Sequence, residues 1–593
     1  MANGKTRLEL TWIGKEERPR LEPRILLEDS ELSYHASRRV SEGDIFDNRL
    51  IFGDNLLALK ALEQEFAGQV KCIYIDPPFN TGQAFEHYDD GIENSVWLSL
   101  MRDRLDLLSR LLSEDGTLFI HIDDTQLGYL IVLLDEILGS ANRISIITFK
   151  QGSATGHKAI NPGCVTTTNF VLMYAKDKQK WSPQRVYSRR IRDRRYNQFI
   201  ANVRSPPEDW QVITLTAAFA AHLGVDLKKA RVIARNAPNQ LDDFVESHPD
   251  SVIRFARPNY PAVSKEARAL IDESRREPRR VFHLKRSGHD DFFFRGGERI
   301  LFYSQKLKMV DGRLVAAEPL TTLWDDILSN NLHNEGGVSF PKAKKPEALL
   351  KRILELSTNP GDLVLDSFAG SGTTGAVAHK MGRRWIMVEL GEHCHTHIIP
   401  RIRSAIDGAD MSGVTDATGW KGGGGFRYYR LAPSLLERDS FGNWIISRKF
   451  NAAMLAEAVC KLHGFRYAPS DTIYWQHGRS SERDFIYVTT QTLSVGQLQH
   501  LSDEVCADRT LLVCCGAFRG DRRRWPNLSL EKIPKSVLSR CEWGRDDYSL
   551  SVASLPNEPE RPTDQPIDAE SAGAAQPRPK RELPLFDRVT EGD

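Results

Sequence analysis

LVLDSFAGSGTTGAVAHKMGRRWIMVEL (363–390) decides the fold. LVLD (363–366) is an apolar strand ending in an acid. DSFAGSGTTG (366–375) is a run of small residues between that strand and a helix, and RWIMVEL (384–390) is a second buried strand. Small residues let a backbone turn sharply and approach a ligand without Cβ clashes. At the carboxyl end of a strand and before a helix N-terminus, such a loop is where doubly wound sheets bind nucleotides. Glu389 ends the next strand, 19 positions after Gly370, where an acid is placed to accept hydrogen bonds from ribose hydroxyls. No Gly-Lys-Ser/Thr follows the glycines, so this is not a triphosphate-binding P-loop. The segment suits a nucleoside-bearing ligand; taken alone, a glycine-rich loop is also an ordinary tight turn.

Working outward, PEALLKRILELS (346–357) reads as a helix with proline in its first turn, followed by the turn Asn-Pro-Gly-Asp (359–362). The same rhythm appears near the start of the chain. LIFGD (50–54) and VKCIYI (70–75) read as strands flanking a helix at Asn55–Phe66. Leu98, Met101, Leu105, Leu108 and Leu112 recur at helical steps over 96–113. Ser-Glu-Asp-Gly (113–116) closes that helix, and TLFIHI (117–122) and NFVLMYAK (169–176) are further strands. The alternation predicts a parallel α/β sheet.

IYIDPPFNTG (73–82) is the sharpest local feature. An apolar strand ends in Asp76, then Pro77, Pro78 and Phe79. Prolines fix φ and lack an N–H, so the loop is stiff and its carbonyls point outward. Asp76 and the Pro77 carbonyl form a pair of acceptors that matches an amino group with two N–H donors, and Phe79 offers a face on which an extruded base stacks. In isolation Asp-Pro-Pro is equally a rigid turn; beside the glycine loop and Glu389 it reads as half of a site.

The composition argues by exclusion. A formal net charge of +1 gives no global case for nucleic acid, so any such case rests on local charge. The eight cysteines include no CxxC pair, which points to reduced thiols rather than a zinc knuckle or disulfide framework. The charged first 24 residues are unlike a signal peptide. No apolar run reaches the ~18–20 residues that span a bilayer, so no membrane role is expected.

Together these segments resemble the amino-group DNA methyltransferases of the β arrangement, in which the catalytic motif precedes the cofactor motif as Asp76 precedes Asp366 here. The chain is similar in particular to the modification (Mod) subunits of type III restriction-modification systems. The likeness runs through LELTWIGKEERPRLEPRILLED (8–29), FGDNLLALKAL (52–62), GTLFIHIDD (116–124), NFVLMYAK (169–176) and FPKAKKPEALLKRIL (340–354), most of residues 1–410. It implies an α/β fold: a circularly permuted Rossmann-like domain dependent on S-adenosylmethionine (SAM), with an inserted target-recognition domain. Beyond the likeness, DFIYVTT (484–490), a helix near 494–505 and RTLLVCCGAF (509–518) read as a C-terminal α/β region. The expected division is an N-terminal arm (1–45), a catalytic half (46–176), the insert (177–335), a SAM-binding half (336–420), a C-terminal domain for partner docking (421–554) and a disordered tail (555–593).

The resemblance also assigns roles. Asp366, Phe368, Gly370, Gly372, Thr373 and Thr374 line the methionine and ribose part of SAM, Glu389 binds the ribose, Asp54 faces the adenine, and Lys345 and Pro346 shape the methionine pocket. Asp76, Pro77, Pro78 and Phe79 match the catalytic tetrapeptide, Phe79 standing where many members have Tyr. The leading Asp favours adenine N6 over cytosine N4 as the methyl acceptor, in duplex DNA after base flipping. No metal is called for. The resemblance further implies a homodimer, a restriction/helicase partner and a cytoplasmic, nucleoid-associated location in a bacterium or archaeon. Cytosine N4 methylation, and a recognition subunit that brings a helicase-nuclease to its sites, stay as rival readings.

The insert is locally basic: Arg189, Arg190, Arg192, Arg194 and Arg195; Lys228, Lys229, Arg231 and Arg235; and Arg275, Arg276, Arg279, Arg280, Lys285 and Arg286. Arginines at such a place contact phosphates and read guanine edges, although any one cluster is equally a solvated face. His121 and His157 lack partners at metal spacing and read as structural. Asp123 and Asp124 read either as cleft residues or as a helix cap. GGGG (422–425) reads as a linker. ELPLF (582–586), after a stretch rich in Pro, Glu, Ala and Gln, resembles the short motif that docks on the replication sliding clamp, with Glu582 in place of the usual Gln; a chance apolar patch in a tail is the plainer reading.

Overall fold

Two stretches of chain far apart in sequence interleave in one ten-stranded sheet. This computed structural model describes residues 9–79, 94–152, 163–190, 192–310, 312–327, 332–340, 344–535 and 537–548; Asn80–Gly82, His157 and the 582–586 motif lie outside them. In chain order the strands are β1 (Leu26–His35), β2 (Asn48–Phe52), β3 (Val70–Ile75), β4 (Leu112–Ile122), β5 (Arg143–Lys150), β6 (Thr168–Ala175), β7 (Leu323–Trp324), β8 (Leu363–Asp366), β9 (Arg384–Glu389) and β10 (Gly425–Leu431). In space they run β1-β10-β2-β9-β8-β3-β4-β6-β5-β7. From β10 to β4 neighbours are parallel; β6 is antiparallel to β4 and β5, and β1 is antiparallel to β10.

Period-two side-chain alternation sorts the sheet into two cores. Ile73 and Ile75, Leu363 and Leu365, and Ile386 and Val388 pack with helices α1 (Asn55–Phe66), α2 (Asn94–Leu111) and α3 (Asp124–Leu134). Cys72, Val364, Trp385 and Met387 pack on the other face with α4 (Glu347–Ser357), α5 (Thr373–Lys380) and α6 (Ile399–Ile406). Both faces are covered, so the central strands are continuous apolar runs rather than amphipathic ones. β4 begins at Leu112, directly after α2, with a register irregularity against Val70. The turn expected at 113–116 is thus taken into the strand.

Two segments differ from the sequence reading. Leu26–His35, expected as part of an arm, is an edge strand of the sheet. The glycine run, expected as a linker, is a packed turn that feeds β10. Gly422, Gly423 and Gly424 have φ of +95, +110 and +74°. A Cβ on Gly423 would lie 2.7 Å from Asp44 Oδ2, and one on Gly424 2.6 Å from the Ile45 carbonyl. These glycines serve close approach, and the sheet reaches to Leu431 before the C-terminal region begins.

Residues 177–322 leave after β6 and return at β7, which pairs in parallel with Thr148 and Phe149. They build a six-stranded antiparallel sheet, a three-stranded sheet and helices Leu215–Leu223, Leu227–Asn236, Pro238–Ser247 and Lys265–Arg276. After β10 come helix α7 (Ala452–Leu462) and a five-stranded sheet centred on the parallel strands Asp484–Val488, Thr510–Cys515 and Leu528–Lys532. Among the described residues no helix is long and apolar enough to cross a membrane.

Candidate active site

β3 and β8 are parallel neighbours with Val364 opposite Cys72 and Leu365 opposite Ile73. Continuing that register sets Asp366 level with Tyr74. Asp76 lies two residues further and on the same face. Sequence parity and register thus bring two carboxylates to one edge of the sheet. Asp76, Lys345, Asp366, Phe368, Gly370, Thr373 and Thr374 line one pocket there, with Tyr74, Phe340 and Ser371.

The Asp76 loop is fixed from several sides. The Pro78 carbonyl accepts a hydrogen bond from Trp97 Nε1 at 2.9 Å, and Pro77 is buried. Lys345 Nζ lies 2.5 Å from Asp76 Oδ2 and 5.2 Å from the centroid of the Phe79 ring. Phe79 stacks on His121, with centroids 5.9 Å apart and an interplanar angle of 17°. His121 is fully buried between the Tyr74 hydroxyl at Nδ1 (3.3 Å) and the Asn169 amide at Nε2 (3.2 Å). Burial, then the Lys345 charge, hold its pKa well below the usual histidine range. It is a neutral ring that backs Phe79.

The glycine loop is held by side chains. Asp366 Oδ1 accepts from the Phe368 N–H at 2.9 Å and Oδ2 from the Thr374 hydroxyl at 2.5 Å. Burial pushes its carboxyl up to about 7. Gly370 and Gly372 sit at φ of +53 and +75°, a region that side chains disfavour. A Cβ on Gly372 would press on Ile398 Cγ2 at 3.0 Å, whereas one on Gly370 would meet nothing nearer than 3.9 Å, so the loop is open at Gly370. Glu389 Oε2 accepts from the Gly370 N–H at 2.8 Å, and Oε1 accepts from the N–H groups of Leu390 and Gly391, each at 2.9 Å.

Beneath the loop lies a buried charge network that the sequence reading missed. Arg401 donates to Thr373 Oγ1 at 2.8 Å and to Glu347 Oε1 at 2.8 Å. Lys380 lies 2.8 Å from Glu347 and 2.7 Å from Asp410. The four charged side chains, Arg401, Glu347, Lys380 and Asp410, are at most 2 % exposed. Their only sequence signal is a charge on a helix or loop, which usually means solvent.

A second pocket is bordered by Phe52, Gly53, Asp54, Leu57, Leu390 and Leu431; Gly370, which donates to Glu389, lines the first pocket, and Leu390, which also donates to Glu389, lines the second. Asp54 borders this pocket, but its carboxylate is engaged by the chain. It caps α1 by accepting from Leu57 N (3.0 Å), and it accepts from Tyr548 N (3.1 Å) and faces Arg104 at 3.4 Å. Pro346 is the N-cap of α4 and lines neither pocket. Asp123 caps α3 by accepting from the Thr125 N–H and hydroxyl.

The insert's basic clusters separate by pairing. Arg189, Arg190, Arg192 and Arg195 each have a carboxylate partner within the insert. Arg275 and Arg280 have neighbours on their own segment, and Arg286 lies over Phe292 at 4.0 Å. Lys228, Lys229, Arg231 and Arg235 all stand exposed on helix Leu227–Asn236.

The model of a family described as DNA methylase matches residues 70–400. Over 419 residues the chain is 31% identical to the probable type III restriction-modification enzyme HindVI Mod subunit of Haemophilus influenzae, covering 67% of this chain and 55% of that one. It is 26% identical over 360 residues to the type III restriction-modification enzyme StyLTI Mod subunit of Salmonella typhimurium, covering 55% and 49%. Type II methyltransferase M.EcaI of Enterobacter cloacae is 26% identical over 355 residues, covering 58% and 67%. The chain thus spans about half the length of the two Mod subunits. Among solved structures, the M1.HpyAVI-SAM complex matches 60% of this chain and 98% of that one at 15% identity, with a TM-score of 0.29.

Proposed function

The chain belongs to the DNA methylase family, and from that premise we propose that it methylates an exocyclic amino group of DNA, adenine N6, with SAM as methyl donor. The observation that carries this reading is the meeting of Asp76 with Asp366, Gly370 and Thr374 in one pocket at the ends of adjacent parallel strands. The chain fits the cofactor. The missing Cβ of Gly370 leaves the loop open toward a ligand, the buried Asp366 carboxylate suits a cationic methionine end, and Glu389, bonded to Gly370 of one pocket and to Leu390 of the other, suits a ribose. SAM bound there supplies an activated methyl group.

The chain's own residues supply position. Asp76 and the Pro77 carbonyl accept from the amino group, which directs the nitrogen lone pair toward the methyl, and Phe79, backed by His121, stacks the flipped base. Lys345 lies against the Asp76 oxygen and near the Phe79 ring, so a base that takes both of these groups competes with it. The exposed basic face of Leu227–Asn236 supports phosphate contact by the insert. The likeness to Mod subunits supports a role as the modification and specificity subunit beside a restriction partner. Incubating the protein with duplex DNA and SAM, then digesting to nucleosides, tests the reading. N6-methyldeoxyadenosine is expected. N4-methyldeoxycytidine would transfer the assignment to cytosine, and no methylated nucleoside would end it.

A further inference from the structure

The region after β10 carries a polar cluster that plays no part in the pocket above. Cys514 and Glu531 are register partners on the neighbouring parallel strands Thr510–Cys515 and Leu528–Lys532, so their side chains leave the same face of the sheet. Helix α7 ends in His463, which caps it. Val459 and Cys460 of α7 share a core with Cys514, which brings His463 over the strand pair. His463 Nε2 lies 3.6 Å from Glu531 Oε2 and 3.8 Å from Cys514 Sγ, and the three donor atoms all lie within 4.8 Å of one another.

We propose that His463, Cys514 and Glu531 bind one divalent transition-metal ion of the zinc class. Two rivals are weaker. A thiol–imidazole–carboxylate relay needs the thiol at one ring nitrogen and the carboxylate at the other; here both converge on Nε2. A plain structural hydrogen bond would satisfy the carboxylate, yet Glu531 Oε2 is buried and accepts none. Arg540 approaches the other oxygen, Oε1, at 3.9 Å, which leaves Oε2 toward the imidazole. Bond lengths of about 2.0–2.3 Å to N, O and S put neighbouring donors of a tetrahedral site roughly 3.2–3.7 Å apart; the two spacings about His463 Nε2 are 3.6 and 3.8 Å, and a small rotation of Glu531 draws the third pair, within 4.8 Å, together. The mixed sulfur, nitrogen and oxygen set selects zinc-like ions over magnesium or calcium. On binding, the Cys514 thiol gives its proton to solvent as the sulfur–metal bond forms, with no change of oxidation state. Cys514 is fully buried, His463 is 4 % exposed and Glu531 Oε2 is buried, while the Glu531 side chain as a whole is 29 % exposed, so entry of the ion and of water as fourth ligand requires that side chain to swing outward. The ion ties α7 to the sheet.

The test uses the untagged full chain carrying C164S and C506S, which removes its two exposed thiols, stripped with chelator and titrated with cobalt(II). Binding of one equivalent, with a thiolate-to-cobalt charge-transfer band that zinc abolishes, is expected. C514S should lose the band, and H463Q and E531Q should each weaken cobalt binding by about 100-fold or more, with circular dichroism confirming that they fold. E531Q, at a partly exposed position, stays decisive if C514S does not fold. Absence of the band in the parent, or cobalt binding unchanged in E531Q, overturns the site.

Discussion

Asp76–Phe79 and Asp366–Thr374 leave neighbouring strands at the same edge of the sheet, but the first is stiffened by its own proline rings and the second by side chains from elsewhere. One tryptophan N–H ties the proline loop to α2. The glycine loop has no intrinsic stiffness; Glu389 holds it from above and Arg401, through Thr373, from below. On the proposed function, the loop that grips a base is the one made rigid covalently, and the loop that lets a cofactor lie against its backbone gives up side chains, its order then depending on buried charges.

That contrast can be broken at its strongest point by Glu347→Gln. The change leaves the buried Lys380 and Arg401 with only Asp410 and the more distant Glu335 as counter-charges, so a loss of ~3–5 kcal/mol is expected in chemical denaturation. A loss below about 1 kcal/mol would show that the network does not hold the loop. Next in size, Glu389→Ala removes the carboxylate that accepts from Gly370, and calorimetry should find SAM bound more weakly by ~1–3 kcal/mol. Unchanged affinity would count against its place at the ribose.

The third effect is one of pH. Below its raised pKa of about 7, Asp366 carries a proton in the free protein and presents no charge to a cationic ligand. Raising the pH through 7 removes that proton, so SAM affinity should rise between pH 6 and 8, by at most about tenfold per unit. An Asp366→Asn variant should show no such rise; an identical pH profile in the variant would assign the titration to another group. The smallest effect is on the proline side. Trp97→Phe deletes one hydrogen bond, worth ~0.5–1.5 kcal/mol, and leaves space in the core where the fully buried indole stood; it should lower kcat several-fold while SAM affinity stays constant. Equal losses in both would mean that the two loops move as one.

How far the sequence carries follows the same division. The parity of Cys72, Tyr74 and Asp76 against Val364 and Asp366 is written in the apolar alternation, so the convergence of the two motifs was legible. The partners of these groups were not. Lys345 was expected near the methionine end, and its contact with Asp76 and Phe79 depends on how the start of α4 packs across the sheet. Asp54 was expected to face a purine, and only the fold shows its carboxylate capping α1 and meeting Arg104 and Tyr548. Leu26–His35 pairs with residues some four hundred positions away, a contact no local pattern encodes. The glycine run at 422–425 has a linker's composition, and only close approach to Asp44 and Ile45 reveals a packed turn.

The most direct test compares two quantities in one variant. In Asp76→Ala the glycine loop and its supports are untouched, so SAM should bind within a few-fold of the parent while methyl transfer to duplex DNA falls below detection. Methylation at the parent's rate would contradict the role given to Asp76, and with it the meaning of the two loops' convergence.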